Sequence, residues 1–404
     1  MNGTGVGPKI VDALRNLVGT DHVLTGNRLT AYRLGSLTPA VAAARPGDEA
    51  EVSRVLALAS SEGLGVVPWG GGAHQCLGHP PARYDVALDL SRFDRLIEYE
   101  PADMTATVQT GMRFLELQRQ LGARGQFLPL DPPLADRASL GGILATNLSG
   151  PLRCRYGTAR DLTLAIRIAH ADGTITKGGA KVVKTATAYD VTKLYVGSLG
   201  TLGVILEATV RLYPCPAAEQ GWWLAFSDLS RAQALAMRIL GSHLQPDRME
   251  LLDEVARREC GGPGSGPSLM VSCAGIPEAV ESQREELEAM AREEGAGLSL
   301  PGDAGHAWGL LRDFPWALED DHAGRYRASW RGSVLPSDCA KGMQAVREAT
   351  TRWTETSMAA SVAHGILRGV FCAEVGEAIA CSLKAARDAL TALGGFLVVL
   401  DAPA

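Results

Sequence analysis

The 404-residue chain has no surplus of positive charge: 39 Lys and Arg stand against 45 Asp and Glu, a formal net charge of −6. That balance removes the electrostatic footprint of a dedicated nucleic-acid binder. Nor is there an apolar run of about 18 residues, the length a membrane-spanning helix needs. The first residues, MNGTGVGPKIVDALRNLVG, lack a basic patch followed by an apolar stretch, so a soluble chain without leader or transmembrane segment is expected. The cysteines, Cys76, Cys154, Cys215, Cys260, Cys273, Cys339, Cys372 and Cys381, are scattered with no C-x-x-C, which excludes the usual zinc and iron–sulfur spacings. They read as reduced cytoplasmic thiols, and iron–sulfur electron transfer would need another polypeptide. Neither G-x-G-x-x-G opening a helix nor G-x-x-x-x-G-K-[ST] occurs, so neither a Rossmann domain nor a P-loop fits.

What is present suits a folded globular protein: 46% hydrophobic and 21% charged residues, over a length that points to two domains. EAEVSRVLALASSE (49–62) places Val52, Val55, Leu56 and Ala59 on one helical face, with Asp48 as cap and Gly63 as stop. LGVVPWGGG then predicts a short strand running into a glycine loop. VALDL (86–90), LIEYE (96–100) and TATVQT (105–110) predict strands, and FLELQRQLGARG (114–125) a helix. In LAIRIAHADGTITK (164–177), Asp172-Gly173 predicts a hairpin turn. GVILEATVRLYP (203–214) adds a strand closed by Pro214 and Pro216.

After Pro216 strands and helices alternate. One series is WWLAF (222–226), a helix near 229–241, SLMVSCAG (268–275) and a charged helix over 278–295. A second is RYRASWRGSVLP (325–336), a helix over 339–352, strands within SMAASVAHGILRGVF (357–371), a helix over 376–393 and FLVVL (396–400). The pattern predicts a sheet with helices on one face, of the split βαβ kind. GGPGSGP (261–267) and ALEDDHAGR (317–325) are expected to be mobile loops within it.

Glycine-bearing stretches cluster in the first half: WGGGAH (69–74), SLGGILATNLSG (139–150), YGTARD (156–161) and GSLGTLGVI (197–205). A single one is more often a turn. Together they suggest anion binding, because glycine lets backbone N–H groups approach a phosphate, and successive N–H groups in a turn make an anion-holding concavity.

In this order, and with GQFLPLDPP (125–133) and KGGAKVVKTATAYDVTKL (177–194), the stretches resemble the FAD-binding domain of the vanillyl-alcohol oxidase and p-cresol methylhydroxylase (PCMH) flavoproteins over residues 38–216. Through SWRGSVLPSD (329–338) and the late FLVVLDAP, the second half resembles the FAD-binding subunits of bacterial glycolate oxidases. The resemblance implies an α+β fold: an N-terminal helical segment (1–37), a PCMH-type FAD-binding domain of two α+β subdomains (38–216), and a ferredoxin-like α+β cap (217–404). It implies FAD as cofactor. Trp69, Gly70, Gly71, Gly72, Ala73 and His74 would line the pyrophosphate, and Ser139, Gly141 and Gly142 would pass close to the flavin. Pro132, Asn147, Ser149, Gly150, Tyr156 and Gly157 would continue the lining, and Gly203, Val204 and Ile205 would meet the adenine or ring system along a strand. His74 is the residue type that tethers FAD in some relatives, but its position fits a polar loop residue better, so untethered FAD is expected.

The implied activity is oxidation of a small 2-hydroxy acid, glycolate to glyoxylate, within a glycolate oxidase complex containing a related FAD-linked catalytic subunit and an iron–sulfur subunit. A cytoplasmic location is expected, with the inner membrane reached through partners. The sequence departs from the family in three places. Lys184–Asp190, KTATAYD, lacks the Asn and Gly of K-N-x-A-G-Y-D. The sequence stops at LDAPA where relatives continue into F-D-P-x-G-x-x-N-P-G. Where catalytic relatives carry H-x-G-D-G-N-x-H, this chain reads Ala363-His364-Gly365-Ile366-Leu367-Arg368. No metal set is expected, and His364 reads as a core or rim residue of an apolar strand. Arg331, beside Trp330, could grip a substrate carboxylate or be a surface arginine. No catalytic base is named, and the alternatives are a stand-alone D-2-hydroxyacid dehydrogenase and a non-catalytic assembly subunit with a degenerate flavin site.

Overall fold

The structure, a computed structural model, describes residues 6–34, 40–180, 191–299, 304–316 and 325–402. The expectation for Lys184–Asp190 lies outside them, as does that for most of the loop 317–325. The chain divides into two units, Met1–Leu148 with Thr158–Cys215, and Ser149–Gly157 with Pro216–Ala404.

The first unit is built on two larger sheets, with Gln126–Phe127 and Tyr213–Pro214 paired separately. Val23–Leu24, Ala42–Ala44, Val86–Asp89 and Val66–Trp69 form one in that order, the last three strands running parallel. A parallel pair needs a crossover, and the helix Glu49–Ser61 supplies it, buries the predicted Val52, Val55, Leu56 and Ala59, and is capped by Asp48, which accepts from Glu51 N at 2.8 Å. The alanines of Ala42–Ala44 are buried on both faces. Ala42 and Ala44 pack under that helix with Val86 and Leu88, and Ala43 packs with Leu24, Tyr32 and Trp69. Val66–Trp69 therefore delivers the glycine loop at the carboxyl end of a parallel strand, the end at which open α/β sheets hold ligands.

The second sheet is antiparallel, in the order Leu96–Glu100, Thr105–Gln109, Val204–Arg211, Thr163–Ala169, Ile175–Gly179. Its last two strands are the predicted hairpin, with Gly173 at φ +87° and Thr174 N donating to Asp172 Oδ1 at 2.8 Å. One glycine stretch is more regular than a loop: Leu140–Thr146 is helical, capped by Ser139 Oγ and ended by Asn147 in the left-handed region.

The second unit carries an eight-stranded antiparallel sheet. Ala218–Ala225, Arg248–Leu252, Ser268–Gly275 and Gly297–Ser299 form one split βαβ pair, with its later strands placed beside the first. Tyr326–Ser333, Glu355–Ser361, Ile366–Ala373 and Phe396–Asp401 repeat that arrangement. The two ferredoxin-like halves join edge to edge, Leu251 opposite Ala360 and Leu252 opposite Ala359. Helices Leu229–Leu240, Pro277–Glu293, Cys339–Thr350 and Gly376–Ala392 pack on one face over Trp222, Trp330, Met358 and Phe371.

The other face is not bare, contrary to expectation. Trp223, Leu252, Met270 and Val370 make it apolar, and Ala304–Asp313 with Glu254–Glu259 cover that part through Trp308, Leu311 and Ala256. The loop 261–267, expected to be mobile, is fastened by the buried Arg257, whose guanidinium donates to the carbonyls of Gly262 (2.6 Å), Pro263 (3.0 Å) and Gly266 (2.9 Å). His364 is not on a strand. It ends the 3-10 turn Val362–His364, where Gly365 at φ +63° reverses the chain between two strands.

Asp253 caps the helix Glu254–Glu259 by accepting from Ala256 N at 2.7 Å and pairs with Arg347 at 2.5 Å. Burial outweighs that pair and pushes its carboxyl up to about 7. The folded value lies above the unfolded one, so its stabilising contribution is complete below about pH 4 and is lost as the pH rises through 7. Asp253→Asn keeps a capping acceptor and removes the titration. Between pH 5 and pH 8, about one unit inside and outside that window, the wild-type melting temperature is expected to fall relative to that of Asp253→Asn. Parallel melting curves would refute the assignment.

Candidate functional site

The glycine loop opens onto a solvent-connected cleft within the first unit. Trp69, Gly70, Gly71, Gly72, Ala73 and His74 form one wall, Ser139, Gly141 and Gly142 a second, and Gly203, Val204 and Ile205 a third. Segments separated by about 65 residues in the chain thus converge. Pro132 is buried and does not line the cleft. Asn147 does not line it either; its Oδ1 accepts from Arg160 N at 3.1 Å. Ser149, Gly150, Tyr156 and Gly157 belong to the second unit, where Arg155 lies over the Tyr156 ring at 5.6 Å.

Local chemistry explains the walls. A Cβ on Gly71 would sit 1.6 Å from the carbonyl oxygen of Arg137, so only glycine lets the loop lie against the segment leading into Ser139. That carbonyl also accepts from the Arg113 guanidinium, and Arg137 Nη2 reaches the Gly72 carbonyl at 3.4 Å. The glycines are thus required by packing as well as by any ligand. The N–H groups of Gly71, Gly72 and Ala73 make no hydrogen bond to another described residue. Behind the loop, Trp69 packs against Tyr32 with ring centroids 5.3 Å apart, and Tyr32 donates to Asp89 at 2.5 Å. Burial, then that bond, raises the Tyr32 hydroxyl well above the usual phenol range. Asp89 is further held by Arg45 at 3.4 Å, so strand and loop share a rigid support.

The helix Leu140–Thr146 is pinned at both ends. Leu140 N and Gly141 N donate to the carbonyls of Met112 (3.0 Å) and Thr110 (2.7 Å), while Gly197 N and Leu199 N donate to those of Leu144 (2.9 Å) and Ala145 (2.8 Å). These partners reveal lining residues that sequence reasoning missed: Thr110, Leu199 and Gly200, with Leu90, Ala145 and Thr146. Thr110 carried no signal. Leu199 sits at φ +54°, a conformation that leucine rarely adopts and that only the fold reveals.

Among the described residues the lining contains no Asp, Glu, Lys or Arg. An anionic ligand there would be met by backbone N–H groups, and aromatic or apolar groups of a cofactor by Trp69, Leu77, Val204 and Ile205. No group of three His, Cys, Asp or Glu residues able to hold a metal occurs among the described residues. Residues 40–179, which supply two of the three walls, match the FAD binding domain family. The first unit carries an FAD-binding domain. Free N–H groups on a glycine turn are what a diphosphate requires, so the residues present fit the cofactor.

Relatives extend the match. Glycolate oxidase subunit GlcD of Bacillus subtilis is 31% identical over 265 residues, which cover 64% of this chain and 56% of that protein. The mitochondrial D-lactate dehydrogenase [cytochrome] of Arabidopsis thaliana is 38% identical over 214 residues, 53% of this chain and 37% of the relative. The chain thus spans little more than half the length of these relatives or less. Among solved structures, an alkyldihydroxyacetonephosphate synthase superposes with a TM-score of 0.80 at 19% identity, covering 96% of this chain and 80% of that one. p-Cresol methylhydroxylase with substrate bound superposes at 0.75 and 15% identity, covering 99% and 90%. The fold is therefore of the PCMH type, as expected. No helix among the described residues is long and apolar enough to cross a membrane.

Proposed function

We propose that the chain is an FAD-linked oxidoreductase subunit acting on small 2-hydroxy acids, glycolate to glyoxylate in the first instance. The observation that carries this reading is the glycine-walled cleft, uncharged among the described residues, with unused N–H groups in the segment that matches the FAD-binding family. Similarity to a glycolate oxidase subunit and to D-lactate dehydrogenases supports the substrate class. The FAD-binding domain spans 38–216 and the cap 217–404.

Gly71, Gly72 and Ala73 would hold the diphosphate, the Trp69–Tyr32–Asp89 support keeps that loop in place, and Val204 and Ile205 exclude water from the apolar wall. When bound, FAD supplies the acceptor for the hydride of a 2-hydroxy acid. The chain works in the cytoplasm within a complex that also contains a related FAD-linked catalytic subunit and an iron–sulfur subunit, which provides the electron exit.

The purified chain is expected to carry near-stoichiometric flavin absorbance, released into the supernatant by acid precipitation. A colourless protein that takes up no added FAD would sink the proposal, and colour retained in the pellet and lost in His74→Ala would assign a covalent bond. Turnover of glycolate with an artificial acceptor is expected to need the partner subunits. Full turnover by the single chain would instead make it a stand-alone dehydrogenase.

A further inference from the structure

The three walls of the cleft come from separate stretches of chain, and one short segment meets the supports of all of them. Thr110 follows directly on the strand Thr105–Gln109 and continues its pairing, Thr110 N donating to the Leu206 carbonyl at 3.0 Å. In the neighbouring strand, Val204–Arg211, Leu206 is one residue more than the strand on its other side can match. Ile205 stands opposite Ile168 and Glu207 opposite Arg167, so Leu206 forms a β-bulge. A bulge interrupts the ladder and bends the strand, and this one adjoins Val204 and Ile205, the third wall.

Thr110 holds that bulge with its side chain as well. Its buried Oγ1 donates to the Ile205 carbonyl at 2.5 Å and lies 3.3 Å from that of Leu206. The Thr110 carbonyl accepts from Gly141 N at 2.7 Å, which ties in the second wall. Next in the chain, Gly111 lies against the Leu90 carbonyl, 1.8 Å from where a Cβ would stand, and Leu90 N donates to the Trp69 carbonyl at 2.9 Å behind the first wall. The backbone contacts of Thr110 are open to any residue. The bond to the Ile205 carbonyl needs a side-chain hydroxyl.

We propose that Thr110 is a positioning residue for the cofactor: its hydroxyl sets the bulge at Leu206, and through it the placing of Val204 and Ile205 against the glycine loop and the helix Leu140–Thr146. That the cofactor is FAD rests on the proposed function; the bracing of the walls does not.

The test compares the full wild-type chain with Thr110→Val, which replaces the hydroxyl by a methyl group of similar size, and Thr110→Ser, which keeps the hydroxyl. FAD affinity and the visible absorbance bands of the bound flavin are measured, with hydrogen exchange over 139–146 and 204–208 in the flavin-free chain. A buried carbonyl left without its donor is unfavourable, and a methyl group cannot approach an oxygen as closely as a hydroxyl does. Thr110→Val is expected to bind FAD about tenfold or more weakly, with shifted flavin bands and faster exchange over both segments, while 49–61 exchanges as in wild type. Thr110→Ser is expected to restore affinity and bands, and Thr110→Ala serves if Thr110→Val does not fold. Wild-type affinity and bands in Thr110→Val, even with a lower melting temperature, would make the hydroxyl a contribution to folding alone and overturn the assignment. So would a Thr110→Ser no better than Thr110→Val. A wild-type chain that takes up no FAD would refute the flavin reading, and exchange then decides: faster in Thr110→Val supports the bracing, unchanged overturns it.

Discussion

Gly71→Ala is expected to strip the protein of its flavin. The new Cβ would lie 1.6 Å from the Arg137 carbonyl oxygen, and a backbone atom cannot rotate out of the way as a side chain can. Either the loop lifts off the segment leading to Ser139 or that segment retreats, and the Arg113 guanidinium bonded to the same carbonyl resists the second movement. Overpacking of this kind costs about 1–3 kcal/mol of stability. The effect on flavin is expected to be larger, because the N–H groups of Gly71, Gly72 and Ala73 move together. A rise in the FAD dissociation constant of about a hundredfold, roughly 2.7 kcal/mol, is expected. Gly122→Ala is the control. Gly122 ends the helix Phe114–Gly122 and a Cβ there meets nothing within 4 Å, so its flavin content should be unchanged and its stability equal or slightly higher. Full flavin retention in Gly71→Ala would show that this loop does not cradle the cofactor.

Arg368→Met is expected to destabilise the second unit by about 3–5 kcal/mol, the loss typical when one partner of a buried ion pair is removed. Arg368 and Glu250 are both buried and 2.7 Å apart. Burial already raises the Glu250 carboxyl, with Arg368 as the leading opposing influence. Without Arg368 the folded-state value rises further. A folded value above the unfolded one stabilises at low pH and is lost as the pH rises through it. The melting deficit of Arg368→Met should therefore widen from acid toward neutral pH. Adding Glu250→Gln removes the stranded charge and should restore part of the loss. A single variant that melts like wild type at neutral pH would show the pair contributes nothing.

Much of this architecture was legible along the chain because it depends on local periodicity. The face of Val52, Val55, Leu56 and Ala59, the Asp48 cap and the Asp172-Gly173 turn each involve residues a few positions apart, and all three stand where the pattern placed them. His364 was misplaced because the apolar run hid a turn that Gly365 makes through its positive φ. The covering helix Ala304–Asp313 went unseen: whether AGHAWGLLRD packs as a helix depends on the apolar sheet face it shields.

The site divides the same way. The resemblance carried by the order of the glycine stretches marked Trp69–His74, Ser139, Gly141, Gly142 and Gly203–Ile205, which do converge on one cleft. Thr110 and Leu199 entered only through long-range backbone hydrogen bonds to the helix between them. The sequence by itself determined the elements, which are written in short-range spacing, and, through the family that the order of its motifs resembles, the fold class and the kind of cofactor. Tertiary structure alone decided why Gly71 must be glycine and which carboxylate Arg368 meets. Both depend on atoms brought together from distant positions, Arg137 against Gly71 and Glu250 against Arg368, and no local pattern encodes such meetings.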